Sequence, residues 1–328
     1  MIVTRPTSMA EVAEDLAEEG VRPRAGGTDL TACLETGVIA PGPMVDLLGV
    51  TGLDEVDWRT DGSARVGAMT TVAALGSDPE LSRAYPALAA TARALATPQI
   101  RGRGTLGGNL LQRNRCAYLR NPAFTCFQTG GDSCPAREGD HLRGVVMDQG
   151  PCVAPHPSTL AVALLTYDAS AHLATGPASE VSVADLYEGT DPTRDHTLER
   201  GTLLTAVSLP VPAPGERSAY RRATGRSRAE WPLVEVVVRL ECADEGRGPV
   251  ERAAVAAGAV ARTPLRLPEV ERALVGVAPG ADLPDRVDGA LTALADRCSP
   301  LPATGYKVPL LQGTLRDAIE TALEVPSR

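Results

Sequence analysis

Short apolar runs separated by turn residues, rather than one dominant period, set the plan of this chain. Ser8, Met9, Ala10 and Glu11 form a capping-box signature, and Met9, Val12 and Leu16 then recur at helical spacing until Gly20 stops the segment. A brief extended piece leads into RAGGTDL (24–30), and PMVDL (43–47) reads as the next strand. ARVGAMTTVAAL (64–75) predicts a strand, a glycine turn and a helix start, and YPALAATARALA (85–96) predicts a helix broken before Pro98. STLAVALLTYDASAHLAT (158–175) reads as an apolar helix followed by a strand. GTLLTAVSLPVP (201–212) reads as a strand ending in a proline-rich linker.

A second texture begins near Arg217. LVEVVVRLEC (233–242) and VERAAVAAGAV (250–260) alternate as strands, two amphipathic helices fall near 268–275 and 284–297, and a last helix at 314–323. Strands and helices mix without a strict βαβ rhythm, which predicts an α+β chain rather than a doubly wound sheet. The expected units are 1–55, 56–214 and a C-terminal α+β domain at 215–328. One stretch obeys neither period: residues 112–157 are rich in Gly, Pro, Asn and Arg, and a loop of that length needs something internal to order it.

Composition narrows the picture. The 328 residues suffice for two or three domains with a sizeable core, and a net charge of −9 argues against nucleic acid or anionic membrane as partner. Lys307 is the single lysine among 32 basic residues. The first twenty residues hold no apolar signal core and no apolar run could span a bilayer, so a cytoplasmic protein is expected, although a partner's export signal stays compatible with the sequence.

Two glycine pairs carry the first candidate chemistry. RAGGTDL and TLGGNL (105–110) each follow a short strand, and successive glycines let backbone N–H groups crowd around an anion. Together they could cradle the two phosphates of a dinucleotide; each alone is equally well a tight turn. Neither matches the Rossmann or P-loop spacing.

The aperiodic stretch carries the second. Cys116, Cys126, Cys134 and Cys152 are separated by nine, seven and seventeen residues, which fits neither a zinc knuckle nor the bacterial ferredoxin run. Spacing alone leaves an iron–sulfur cluster, an unusual zinc site and unrelated buried thiols equally open. In a reducing compartment, clustered cysteines hold a metal or a cluster more readily than they form disulfides. His141 and His156 flank the last cysteine interval and read as structural, while Cys33, Cys242 and Cys298 read as small buried hydrophobes.

In order and spacing, RAGGTDL, VDLLGVTGLDEV, VGAMTTVAAL, TPQIRGRGTLGGNL, GTLLTAVSLP, YRRATGRSRAEWPLVEV and GYKVPLLQGTLRDAIETAL resemble the FAD-binding subunit of the xanthine dehydrogenase family. These are the molybdenum hydroxylases, including carbon monoxide dehydrogenase and bacterial aldehyde oxidases. The resemblance covers nearly the whole chain. It implies a two-subdomain FAD-binding fold closed by the C-terminal domain. Electrons would come from [2Fe–2S] clusters on a small partner, after substrate oxidation at a molybdopterin centre on a large one, and leave FAD for an external acceptor.

The resemblance also implies site residues. Arg24, Ala25, Gly26, Gly27, Thr28, Asp29 and Leu30 would wrap the FAD pyrophosphate, and Thr105, Gly107, Gly108 and Asn109 would add phosphate and ribose contacts. Leu204 would lie near the flavin ring or adenine, and Arg221 falls where relatives carry a lysine near the ring. Thr159 stands where relatives often have an acidic contact to FAD. QRNRCAYLR, FTCF, SCPA and PCVAPHPS resemble an insertion, found in aldehyde-oxidase-type subunits, that binds a [4Fe–4S] cluster. Cys116, Cys126, Cys134 and Cys152 would be its ligands. No catalytic acid or base is expected, because a flavin performs its own redox chemistry. The competing expectations are a free-standing FAD-dependent reductase or oxidase and a zinc-stapled non-catalytic scaffold.

Overall fold

The computed structural model describes residues 2–324, so Met1 and the last four residues of the expected C-terminal domain lie outside the described residues. Its first sheet is small and parallel: β1 (Val3–Thr4), β2 (Arg22–Arg24) and β3 (Met44–Asp46), with β3 central. The helix Met9–Ala17 connects β1 to β2, capped by Ser8 Oγ, which accepts the Glu11 N–H at 3.3 Å. Val12 and Leu16 bury its inner face beside Val45 and Leu47.

The second sheet holds β4 (Val56–Trp58), β5 (Ala64–Gly67), β6 (Ser170–Ala174), β7 (Glu180–Ser182) and β8 (Leu203–Leu209), antiparallel in the order β4-β5-β8-β6-β7. Three helices, Val72–Ser77, Pro79–Ala84 and Pro86–Ala94, pack in the same core. The third sheet runs β12-β11-β10-β9, also antiparallel, with β9 (Glu216–Ala223), β10 (Val234–Cys242), β11 (Val250–Gly258) and β12 (Leu265–Arg266).

Strand β10 is buried on both faces, and its alternation divides two cores. Val234, Val236, Val238 and Leu240 face the helices Pro268–Leu274, Asp285–Asp296 and Lys307–Leu323. Val237, on the opposite face, joins the core of the second sheet. Between the sheets lies the helix Thr159–Thr166, all eight of whose residues are buried. It is apolar all round because it has sheet on one side and helices on the other. Among the described residues no helix is long and apolar enough to cross a membrane.

The chain is α+β, as its pattern predicts. The insertion has little regular structure: a single 3₁₀ turn at Phe127–Thr129 and one short helix, Pro135–Glu138.

Candidate functional site

The two glycine loops meet. A Cβ at Gly26 would collide with the Arg103 carbonyl oxygen, so only glycine permits this approach of the first loop to the lead-in of the second. Gly27 adopts φ +75°, a left-handed conformation that favours glycine. In the second loop Thr105 Oγ1 accepts the Gly108 N–H at 3.1 Å, and Gly107 lies against Ala68, its N–H bonded to the Ala68 carbonyl at 2.8 Å. Asn109 ties this loop to the buried helix: its Oδ1 accepts from Ser158 Oγ at 2.7 Å and from the Leu160 N–H at 3.3 Å.

Thr28, Asp29, Thr105, Gly108, Asn109 and Thr159 line one cleft of about 890 Å³, part of it open to solvent. Gln112 and Arg115 add a wall from the insertion, and Arg222 and Trp231 close it from the C-terminal domain. Arg115 and Arg222 each have a buried Nε with no partner among the described residues. Both side chains belong to the cleft wall and bring positive charge to it. The carboxylates at the cleft are engaged: Asp29 accepts the Arg113 N–H at 2.8 Å and pairs with Arg115 and Arg120 at 2.7 and 2.8 Å, and Glu230 accepts the Arg226 N–H at 3.1 Å.

Behind Thr159 stands Glu235, fully buried. It accepts from Thr159 Oγ1 at 3.2 Å and from Tyr220 Oη at 2.8 Å, and burial pushes its carboxyl above the ordinary range. The structure thus places a carboxyl one layer behind Thr159.

A second, small cavity, almost wholly apolar and partly open to solvent, lies in the insertion. Cys116, Cys126, Cys134 and Cys152 all line it, with Phe127, Leu119 and Ala154. All four cysteines are free thiols. Among the described residues no three potential donors converge closely enough to hold a single metal ion; the cysteines ring a space instead of a point. Backbone amides near Cys116, Cys134 and Cys152 act to lower those thiols. Such donors favour thiolates. A hydrogen bond from Cys152 lowers the Cys134 thiol and raises Cys152, while burial raises Cys116.

Val146 and Met147 pack the end of this insertion into the core of the C-terminal domain, and polar groups hold the rest in place. Asp195 accepts from Arg113 Nε at 2.8 Å, from Asn114 Nδ2 at 2.9 Å and from Gln128 Nε2 at 2.8 Å, and pairs with Arg262 at 3.3 Å. Burial alone would raise its carboxyl, but these partners hold it well below the usual carboxylate range. Lys307 Nζ donates to the carbonyls of Gly144 and Ala259 at 2.9 and 2.8 Å, joining the end of the insertion to the C-terminal sheet. His141 bridges Ala136 O and the Ala303 N–H, and His156 is buried against Tyr187. Both histidines are structural.

Residues 1–212 match the family described as the FAD binding domain in molybdopterin dehydrogenase, and residues 218–322 match the CO dehydrogenase flavoprotein C-terminal domain. The chain belongs to the FAD-binding subunits of the molybdenum hydroxylases. This flavin subunit is 33% identical to the FAD-binding subunit of an Escherichia coli (strain K12) aldehyde oxidoreductase over 249 residues, 74% of this chain and 76% of that one. It is 30% identical to the carbon monoxide dehydrogenase medium chain of Afipia carboxidovorans over 327 residues, 97% and 95% of the two chains. Among solved structures, a Cu,Mo-CO dehydrogenase in its cyanide-inactivated form superposes with a TM-score of 0.75 at 26% identity, covering 98% of this chain and 97% of that one.

The flavin subunit's expected site residues divide into two groups of six, with Leu204 and Arg221 in neither. Six of them line the cleft directly. Arg24, Ala25, Gly26, Gly27, Leu30 and Gly107 build the loops around it; Arg24 pairs with Asp46 at 2.7 Å. Leu204 lies buried beneath Gly107, away from the cleft surface. Arg221 turns away altogether: it binds Asp317 at 2.9 Å and Thr321 at 2.6 Å on the last helix, and its neighbour Arg222 takes the cleft wall. Strand alternation is the reason, since Arg222 shares a face with buried Tyr220. That period was the available signal for Arg222. Arg115 and Gln112 had none in spacing alone.

Proposed function

We propose that this chain is the electron-transferring flavin subunit of a multi-subunit molybdenum hydroxylase that oxidises an aldehyde, aromatic or heterocyclic substrate. Its partners are a large molybdopterin-binding subunit and a small [2Fe–2S] subunit. The observation that carries the reading is the adjacency of two fitted cavities: a cleft walled by both glycine loops, and a cysteine-lined cage behind one of its walls.

The cleft fits FAD. The close approach that Gly26 permits sets the two loops side by side, and the Arg115 and Arg222 side chains on the cleft wall supply positive charge for phosphate or ring carbonyl oxygens. Thr28, Thr105, Gly108 and Asn109 would hold the phosphates and ribose, with Arg222 beside the ring system. Bound FAD supplies the redox chemistry that links one-electron iron–sulfur carriers to an external acceptor. The protein's part is to bind, orient and supply positive charge; among the described residues lining the cleft, no unengaged carboxyl offers a proton, which weakens the reading as a free-standing reductase.

The cage fits a [4Fe–4S] cluster better than zinc. Four thiols surround an apolar space, with backbone amides near three of them, the kind of environment that sets cluster potential. Cys116, Cys126, Cys134 and Cys152 would ligate it.

Co-expression with the candidate large and small subunits tests the proposal. The three chains should co-purify, and an aldehyde added without oxygen should bleach the flavin absorbance. A complex that forms yet shows no bleaching with any aldehyde or heterocycle tried contradicts the functional assignment.

A further inference from the structure

We propose that the insertion is a working wall of the flavin cleft, and that Arg115 couples the two sites so that an ordered cysteine cage tightens FAD binding. The inference rests on the reading of cleft and cage given above and adds a dependence between them.

The geometry begins with a single stretch of chain. Asn114 and Cys116 line the cage, while Arg115 between them lines the cleft. The Arg115 guanidinium touches three units at once. It pairs with Asp29 of the first glycine loop at 2.7 Å, donates to Gln112 Oε1 at 2.7 Å, and stacks 4.4 Å from the Trp231 ring of the C-terminal domain. Arg115 lines a cleft that would hold an acceptor-rich ligand.

Asp29 completes the link. Its carboxylate is held by three residues of the insertion's first turn: the Arg113 N–H, Arg115 and Arg120. Arg113 and Asn114 are in turn gripped by Gln128, two residues beyond Cys126, at 2.7 and 3.1 Å. Displacing the cage ligands therefore moves the groups that fix the FAD loop. Arg120 also binds Asp29 but does not line the cleft, so Arg115 is the member of this set that lines the cleft, and its chain neighbours Asn114 and Cys116 line the cage.

Two ligands whose sites share an ordered element bind with positive coupling, and the coupling is reciprocal. Arg115 is in this sense a positioning residue, and its loss should affect FAD affinity without emptying the cage.

The test titrates FAD into the flavin-depleted full-length chain by fluorescence quenching, with iron, acid-labile sulfide and melting midpoint measured on the same samples. Arg115→Met should weaken FAD by roughly tenfold with wild-type iron content, and Arg115→Lys should recover only part, because an ammonium lacks the planar fork. Chelating iron from the wild-type chain, which needs no variant, should weaken FAD by a similar factor. The same treatment applied to Arg115→Met should add little. FAD affinity within twofold of wild type in Arg115→Met, or losses that multiply when the variant is chelated, overturns the coupling. A wild-type chain that binds FAD tightly while carrying no iron overturns the coupling and leaves the flavin assignment standing; a chain with iron and no FAD affinity overturns both.

Discussion

The flavin cleft and the cysteine cage lie either side of one short stretch of backbone, yet they are built by opposite means. The cleft sits at the ends of regular elements: a first glycine loop after β2, a second that follows the short helix Pro98–Arg101 and not the expected strand, a buried apolar helix, and the face of a four-stranded sheet. Its shape follows from close backbone packing that any apolar core supports. The cage has almost no regular structure and few apolar residues of its own, and hydrogen-bonded charges hold it against the two domains. A site of the first kind forms when the domain folds. A site of the second kind depends on each polar partner and on the group that fills it.

The largest expected effect comes from breaking the cage's anchor. Asp195→Ala leaves Arg113 and Arg262 without their buried carboxylate, a loss of about 3–5 kcal/mol for a broken buried pair. Chemical denaturation and iron content should both fall, while the described contacts of Gly26 and Gly108 are untouched. If stability falls by less than about 1 kcal/mol, the polar scaffold is not what holds the insertion.

Next comes the converse. Gly108→Leu places a side chain beside Thr105 Oγ1, which a Cβ would already approach to 2.9 Å, and projects it toward the cleft. FAD affinity should drop by roughly a hundredfold, as overpacking costs of about 1–3 kcal/mol imply. Iron content should stay at the wild-type level, and retained flavin would show that this loop has another task.

A smaller effect separates two adjacent arginines. Arg222→Met should weaken FAD by about tenfold through loss of one charge-assisted contact, whereas Arg221→Met should change it by less than twofold. Equal losses would contradict the assignment of strand faces.

A last effect, of a different kind, concerns the seam. Burial, then nearby Arg143, lowers the Lys307 amine from 10.5 to about 7. Its folded pKa lies below its unfolded value, so between about pH 7 and 10 the unfolded chain binds more protons. Stability should therefore rise with pH across that window, by at most roughly 1.4 kcal/mol per unit. The Lys307→Met variant should lose this slope, measured as the denaturation midpoint against pH.

How much of this was legible in the sequence differs by element for physical reasons. Strands β10 and β11 announced themselves by alternation, and the glycine pairs by composition. Strand β9 did not: ERSAYRRA carries polar residues on both faces, because one face meets the last helix through Arg217 and Arg221. The last helix starts at Lys307, ahead of the expected 314, since Pro309 falls in its first turn where the missing N–H has no helical partner. Asp195 sits in a polar turn with nothing local to mark it, and its insertion partners lie 67 to 82 residues away. Asp29 read as a ligand contact from its motif, and only the fold reveals that insertion residues hold its carboxylate.

The central claim is that one chain holds a flavin in the cleft and an iron–sulfur cluster in the cage. Quantifying FAD, iron, acid-labile sulfide and zinc in the full-length chain purified without oxygen tests it most directly. The account predicts FAD with iron and sulfide in equal amounts and no zinc. Zinc in place of iron and sulfide would contradict the cage assignment, and its presence without FAD would contradict the account as a whole.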